Sequence, residues 1–333
     1  MSPLLQVNDL KKHFLVRGGP LGLGVTRVRA VDGVSLHVDR GETLALVGES
    51  GCGKSLSALS IMRLLPDPPA RIVGGSVLLN GRDLVTLSEE AMLKIRGQEI
   101  GMVFQDPLSS LNPVATVERQ IAEVLMAHTD LSRSQARRRA LELLEQVGTP
   151  DAARRLDAYP HQLSGGMCQR VMIACAIACH PSVLIADEPT TALDVTVQAQ
   201  VLGLLEHLQV DSGMAMIFIT HDLGVVAEIA DRVVVMYAGR KVEEAPVDDL
   251  FEAPLHPYTA GLIAATPVPG AQRAQRLADI PGMVPPLNAL PTGCAFVPRC
   301  KRVMDVCWKE KPELTQPAPG RMVACFAAEQ DAA

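Results

Sequence analysis

The sequence predicts an α/β protein with a largely parallel sheet, followed by a small extension rich in loops. Short apolar runs alternate with helical patterns over roughly the first 245 residues, which is typical of buried parallel strands joined by helices. A glycine-rich segment connects one such apolar run to a helical pattern. From residue 251 to 333, prolines and glycines interrupt the pattern and four cysteines appear. We therefore expect a domain over 1–250 and an extension over 251–333.

The predicted strands are continuous apolar runs, as expected for strands that are covered on both faces. The first run is Thr43–Val47, and the helix that follows it is predicted over 55–65. Three further strands are predicted at 182–186, 214–220 and 232–238.

A mostly helical block is predicted over 106–178. Its clearest helix covers 133–147, where Ser132 and Gln135 form a capping box and Gly148 ends the helix. The residues at helical spacing that we expect to be buried are Ala136, Ala140, Leu144 and Val147.

Composition and charge exclude several classes of protein. The 48% hydrophobic content is too high for a disordered chain, and the net charge of −6 disfavours broad nucleic-acid binding. The central apolar run at 171–179 is too short to cross a bilayer, and the first residues lack the basic and apolar regions of a signal peptide. We expect a cytoplasmic protein, in which the 8 cysteines bind metal or stay reduced.

The segment after the first strand fits the phosphate-loop pattern G-x-x-x-x-G-K-[ST]. Its glycines allow backbone N–H groups to turn toward phosphates, and the following helix adds its positive end. The lysine can reach the β- and γ-phosphates, and the serine hydroxyl can bind Mg²⁺. The segment consists of Gly48, Glu49, Ser50, Gly51, Cys52, Gly53, Lys54 and Ser55.

Two carboxylates follow the predicted strand at 182–186. Asp187 and Glu188 would lie at the carboxyl edge of the sheet, where open α/β sheets bind their ligands. We expect Asp187 to contribute to Mg²⁺ binding and Glu188 to orient and deprotonate an attacking water.

A second anion site is predicted where Ser164, Gly165 and Gly166 begin a helix. One chain needs only one such site for its own ATP. The second site is explained if it contacts the γ-phosphate of ATP held by a partner subunit. Cys52 and Cys168 each lie near a predicted helix N-terminus, where we expect a lowered thiol pKa.

With these motifs in this order, residues 1 to about 245 resemble the ATP-binding subunits of ABC transporters, which are P-loop NTPases with a helical subdomain. The resemblance implies that Phe14 stacks on adenine and that Gln105 contacts Mg²⁺ and water. It also implies that His221 contacts the γ-phosphate and that Ala192, Leu193 and Asp194 cross a dimer interface. Asp194 is in addition predicted to cap a helix.

The segments at 104–113 and 256–259, with the cysteine-bearing tail, resemble the dipeptide and oligopeptide permease branch of this family. The tail cysteines are Cys294, Cys300, Cys307 and Cys325. Their spacing alone leaves iron–sulfur, zinc and free thiols open, because it matches neither the usual zinc pairs nor simple ferredoxins. The resemblance implies a 4Fe–4S cluster, with zinc as the alternative.

The resemblance therefore implies an ATPase subunit of a peptide importer, on the cytoplasmic face of the membrane. Its expected partners are a second ATPase subunit of different sequence, two integral membrane permease subunits and a substrate-binding protein. The alternatives are transport of nickel or another small solute, and a soluble ABC ATPase without a transport role. The cargo is not encoded in these motifs.

Overall fold

The structure, a computed structural model, describes residues 2–18, 24–191, 193–266 and 279–331. The strands in these ranges are β1 Leu5–Gly18, β2 Gly24–Val38, β3 Thr43–Val47, β4 Ala70–Leu79, β5 Arg82–Asp83, β6 Ile100–Val103, β7 Val183–Asp187, β8 Ala215–Ile219, β9 Arg232–Tyr237, β10 Arg240–Pro246, β11 Thr315–Ala318 and β12 Arg321–Val323.

The α-helices in the same ranges are α1 Lys54–Ile61, α2 Glu89–Ile95, α3 Pro107–Ser110, α4 Val117–His128, α5 Arg133–Gln146, α6 Ala152–Arg155, α7 Gly165–Ile177, α8 Val195–Ser212, α9 Leu223–Ile229, α10 Val247–Glu252, α11 Pro257–Ala265, α12 Asp305–Lys309 and α13 Phe326–Asp331. The helices and strands confirm the α/β class. No helix in the described part of the chain is long and apolar enough to cross a membrane.

The chain divides into two compact units, and the first contains Val38–Glu42 and Thr86–Ile219. Its strands β6, β7 and β8 are neighbours in that order and run parallel. All five residues of β7 and of β8 are buried, as their apolar sequences predict. The predicted strands 182–186 and 214–220 are confirmed, with ends that differ by one residue.

In the first unit, α7 contacts both α4 and α5. The capping box that begins α5 is present, since Ser132 accepts from Gln135 and the Gln135 side chain bonds back to Ser132. The four residues predicted to face inward, Ala136, Ala140, Leu144 and Val147, are all fully buried. The predicted helix is therefore confirmed, with its last residue at Gln146.

The second unit contains Pro3–His37, Thr43–Val85 and the described residues of 220–333. One of its sheets has the strand order β2-β1-β4-β5, and β1 pairs with β4 in antiparallel register. The sequence did not predict this sheet. Its long strands carry many polar residues, so they lack the continuous apolar runs that marked the buried parallel strands.

The second unit also contains a mixed group of strands. Strand β3 runs parallel to β9, β9 is antiparallel to β10, and β12 pairs with β10 and with β11. The C-terminal strands therefore extend the sheet beyond β10. A buried aromatic group of Tyr237, Tyr258 and Phe296 packs within this unit. The domain boundary at residue 250 stays a prediction.

Candidate functional site

The phosphate-loop segment, residues 48–55, connects β3 to α1 in the second unit. Gly53 has φ 105°, and a Cβ atom there would lie 2.5 Å from the carbonyl oxygen of Ala30. Only glycine allows this backbone conformation at this close approach. The segment therefore folds as a tight loop whose chain leads directly into a helix N-terminus, as the sequence predicted.

Lys54 is held against its own loop. Its side chain is buried, and Nζ donates to the carbonyl oxygens of Gly48 at 2.6 Å and Glu49 at 3.2 Å. These neutral acceptors hold the ammonium against the loop, and a phosphate oxygen would form a stronger charge-assisted bond. Ser55 follows at the start of α1 and is partly exposed.

The expected low pKa values of two thiols near helix N-termini are wrong. Cys52 is fully buried, and burial raises its pKa despite the opposing charge of Lys54. Burial also raises the pKa of Cys168, whose Sγ lies 3.5 Å from the carbonyl oxygen of Pro160. In both cases the loss of hydration of the thiolate on burial is the largest cause of the raised pKa.

In the first unit, β7 ends at Asp187, which is buried, and Glu188 follows it. Glu188 adopts φ 46°, a strained conformation for a residue with a side chain. Its Oε2 accepts from Gln105 Nε2 at 2.9 Å and from Thr191 Oγ1 at 2.9 Å. The structure thus brings Gln105 and Glu188 together and adds Thr191. Nothing in the sequence pattern had indicated Thr191.

The predicted second anion site also lies in the first unit. Ser164 caps α7, its Oγ accepting from the backbone N–H of Met167 at 3.3 Å. Ser164 and Gly165 are exposed, so this helix N-terminus is open to a ligand or partner. A Cβ atom on Gly166 would lie 2.7 Å from Val197 Cγ1, which explains the glycine by close packing.

Three other predicted site residues, Asp194, His221 and Phe14, lie in different parts of the chain. Asp194 caps α8, because its Oδ1 accepts from the N–H of Val197 at 3.0 Å, which confirms the predicted cap. Ala192 lies outside the described residues. His221 is exposed and lies two residues beyond β8. Phe14 is partly buried on β1, opposite Ala70 of β4.

Glu49 of the phosphate loop has two partners in the second unit that the sequence did not indicate. The guanidinium of Arg299 donates two hydrogen bonds to its carboxylate, at 2.6 Å and 2.9 Å. Its backbone N–H donates to the hydroxyl of Tyr258 at 2.8 Å. These partners lie more than 200 positions along the chain, and no local pattern signals such a contact.

The four tail cysteines line one small cavity of about 20 Å³ in the second unit. Burial raises the pKa of Cys294 to about 11, and the nearby thiols of Cys307, Cys325 and Cys300 add to the effect. However, among the residues that the structure describes, no three His, Cys, Asp or Glu side chains form an arrangement that could hold a metal ion. The expected iron–sulfur cluster is therefore unsupported beyond the convergence of the four cysteines.

Two family patterns match the chain. Residues 31–191 match the family described as "ABC transporter", and residues 242–307 match "Oligopeptide/dipeptide transporter, C-terminal region". The first covers the phosphate loop, Gln105, Ser164–Gly166 and both carboxylates. The second covers Tyr258, Arg299 and three of the four tail cysteines.

Full-length relatives and solved structures are consistent with these matches. The chain is 51% identical over 333 residues to an oligopeptide transport ATP-binding protein, AppD, of Bacillus subtilis, covering 100% of this chain and 99% of that protein. It is 50% identical to OppD of the same organism, covering 94% of this chain and 86% of that protein. A dimeric ATP-binding cassette, MJ0796, solved with ADP and phosphate, superposes with a TM-score of 0.64 at 28% identity, covering 73% of this chain and 98% of that one. The chain therefore belongs to the ATP-binding subunits of ABC transporters, a family of ATPases, in the branch with the oligopeptide/dipeptide transporter C-terminal region.

Proposed function

We propose that the chain hydrolyses ATP to drive import of dipeptides or oligopeptides through a membrane permease. The observation that carries this proposal is the 51% identity along the whole chain to an oligopeptide transport ATP-binding protein, C-terminal region included. The partners would be a second ATPase subunit of different sequence, two membrane permease subunits and a substrate-binding protein. The chain would lie on the cytoplasmic face of the membrane.

The transport role is tested by reconstitution. The chain, co-expressed with candidate permease and binding-protein subunits, is expected to co-purify with two integral membrane proteins in detergent. Addition of peptide to the liposome-embedded complex should raise the rate of ATP hydrolysis. Stimulation by nickel but not by peptide would identify nickel as the cargo. A chain that associates with no membrane subunit would favour the soluble role.

The proposed phosphate contacts lie on residues 48–55. Loop N–H groups and Lys54 would bind the β- and γ-phosphates. Mg²⁺ prefers oxygen ligands, and the Ser55 hydroxyl, the Asp187 carboxylate and the Gln105 amide oxygen suit it. When bound, the ion neutralises charge that develops on the phosphates. Phe14 would stack on the adenine ring.

The proposed catalytic base is Glu188. Its Oε2 accepts hydrogen bonds from Gln105 and Thr191, which hold the carboxylate in a fixed orientation directly after β7, where it would take a proton from the attacking water. Gln105 would also relay the state of the site to the permease. His221 would donate a hydrogen bond to the γ-phosphate.

We further propose that two ATPase subunits close head to tail, so that Ser164, Gly165 and Gly166 of one contact the ATP of the other. The exposed N-terminus of α7 supports this arrangement, because Ser164 and Gly165 are accessible to a phosphate of the other subunit's ATP. The solved relative MJ0796 is described as a dimer.

Replacement of Ser164 by alanine is expected to lower ATP turnover of the assembled complex about tenfold, through loss of a hydroxyl donor to the partner's phosphate. The measurement is phosphate release by the chain with its partner ATPase. The matched control is Ser132→Ala, which removes the hydroxyl that caps α5. Both variants lose a helix cap, so equal turnover in the two would count against the shared site.

For the tail we propose that Cys294, Cys300, Cys307 and Cys325 hold a 4Fe–4S cluster, with zinc as the alternative. The support is chemical: four thiols line one cavity, and thiolates suit either group. Because burial raises the pKa of Cys294, Cys300 and Cys325, metal binding must release protons.

Anaerobically purified chain is expected to be brown, with broad visible absorption and about four iron atoms per chain. Substitution of Cys300 by serine should remove most of this absorption, whereas Cys179→Ser, in the first unit, should leave it unchanged. A colourless chain with stoichiometric zinc would show that the four cysteines bind zinc and not an iron–sulfur cluster. A chain free of both metals would leave four free thiols that line one cavity.

A further inference from the structure

Glu49, in the phosphate loop, is held by two residues of the C-terminal extension. Its carboxylate accepts from Nη1 of Arg299 at 2.6 Å and from Nη2 at 2.9 Å. Its backbone N–H donates to the hydroxyl of Tyr258 at 2.8 Å. The side chain and the main chain of one loop residue are thus both fixed from the extension.

Arg299 is itself held rigidly. Its side chain is only 3% exposed, and it also donates to the carbonyl oxygens of Pro281 at 3.0 Å and Ile280 at 3.1 Å. Its guanidinium lies 5.9 Å from the ring centres of both Tyr237 and Phe296. A planar guanidinium with this many fixed partners has little conformational freedom. A displacement of Glu49 is therefore expected to displace Arg299 as well.

Arg299 belongs to the same short turn as two of the tail cysteines. Residues 294–300, which we call the cysteine turn, include a single 3₁₀ turn at Val297–Arg299. The N–H of Arg299 donates to the carbonyl oxygen of Phe296, and the N–H of Cys294 donates to that of Cys307. The turn therefore joins Arg299 to the four-cysteine cavity through backbone hydrogen bonds.

Tyr258 is positioned by a separate device. It lies in the first turn of α11, where the imidazole Nδ1 of His256 accepts from the N–H of Tyr258 at 3.0 Å. Burial lowers the pKa of His256 to about 4, so the ring is neutral and able to accept. The Tyr258 ring packs on Phe296 of the cysteine turn, at 5.4 Å between centres.

We propose that Arg299 is a positioning residue that couples nucleotide binding at the phosphate loop to the order of the cysteine turn. The proposal rests on the assignment of residues 48–55 as the nucleotide-binding loop. A loop shaped by nucleotide holds Glu49 in place, and Glu49 in turn holds Arg299 and the turn. Coupling is reciprocal, so a disordered turn weakens nucleotide binding. The order of the cysteine turn in the extension thereby regulates the affinity of the phosphate loop for nucleotide.

The test uses the full chain with Mg²⁺ and the non-hydrolysable analogue AMP-PNP. Hydrogen–deuterium exchange of the peptide that contains residues 294–300 is expected to slow about fivefold when the analogue binds. In Arg299→Gln this protection should be lost, and the dissociation constant of a fluorescent ATP analogue should rise about tenfold. The matched control is Lys301→Gln, which removes the same charge two residues away at an exposed position.

Two conservative variants separate coupling from folding. Arg299→Lys keeps the charge but lacks the two-pronged geometry, so it should retain only part of the protection. Tyr258→Phe removes only the hydroxyl that accepts from Glu49, so it should weaken nucleotide binding while the chain stays folded. If both variants show protection and affinity equal to wild type, the proposal is wrong even if Arg299→Gln does not fold.

A double-variant cycle tests whether Arg299 acts through Glu49. Arg299→Gln combined with Glu49→Gln should bind nucleotide no more weakly than the weaker of the two single variants. Additive losses would overturn the proposed coupling. Failure of the wild-type chain to bind any nucleotide would overturn both the coupling and the loop assignment. Normal nucleotide binding without protection of the cysteine turn would overturn the coupling alone.

Discussion

Replacing Glu188 by glutamine is expected to lower ATP turnover by about 100-fold or more while ATP binding is retained. Glutamine keeps a carbonyl oxygen that can accept from Gln105 and Thr191, as Oε2 of Glu188 does. It cannot take a proton from the attacking water, so only the chemical step is lost. With the proposed partner ATPase, the variant should accumulate as a closed dimer in the presence of ATP.

The measurement is phosphate release alongside binding of a fluorescent ATP analogue. Glu206→Gln is the matched control, since Glu206 is an exposed carboxylate on α8 of the same unit. Turnover at the wild-type rate in Glu188→Gln would show that another group acts as the base. Loss of binding together with turnover would show that Glu188 is structural.

Replacing Lys54 by methionine is expected to weaken ATP binding about 100-fold, because the ammonium is the one side-chain cation within the phosphate loop. Methionine retains the unbranched apolar stem, so the buried position stays filled. The change also removes two hydrogen bonds from Nζ to loop carbonyls. Some loosening of the loop itself is therefore part of the expected effect.

The dissociation constant is obtained by titration with the fluorescent ATP analogue, and thermal unfolding without nucleotide reports on the fold. Lys94→Met, at an exposed position on α2, controls for the loss of one positive charge. An unchanged dissociation constant in Lys54→Met would remove the central support for the phosphate loop. A large drop in the unfolding temperature would instead show that Lys54 stabilises the fold.

Elements with a strong local signal were predictable. The strand Thr43–Val47 has the predicted bounds, and the helix that begins after Ser132 has its predicted capping box. In both cases the information lies within a few residues: an unbroken apolar run, or a serine with glutamine three positions later. The order of the phosphate loop, Ser164–Gly166 and the two carboxylates was likewise enough to indicate the family.

Elements that depend on distant partners were missed. Strand β1 pairs with β4, whose residues lie more than 50 positions later, and its polar residues give no buried-strand signal. The pKa of Cys52 was expected to be lowered and is instead raised, because helix position is visible in a sequence whereas burial is not. Thr191 is only three positions from Glu188 and was missed for a different reason: their side chains meet because of the turn that follows β7, and no sequence pattern indicated that turn.

The sequence by itself determined the family, the phosphate loop and the carboxylates, since these depend on residue types at short, fixed spacings. The tertiary structure alone decided how that loop is supported. Glu49 and Arg299 are 250 positions apart and meet only because the extension folds into the same unit as the loop. The two-pronged hydrogen bond then requires side-chain placement within a few tenths of an ångström, which long-range packing sets and local residue patterns do not.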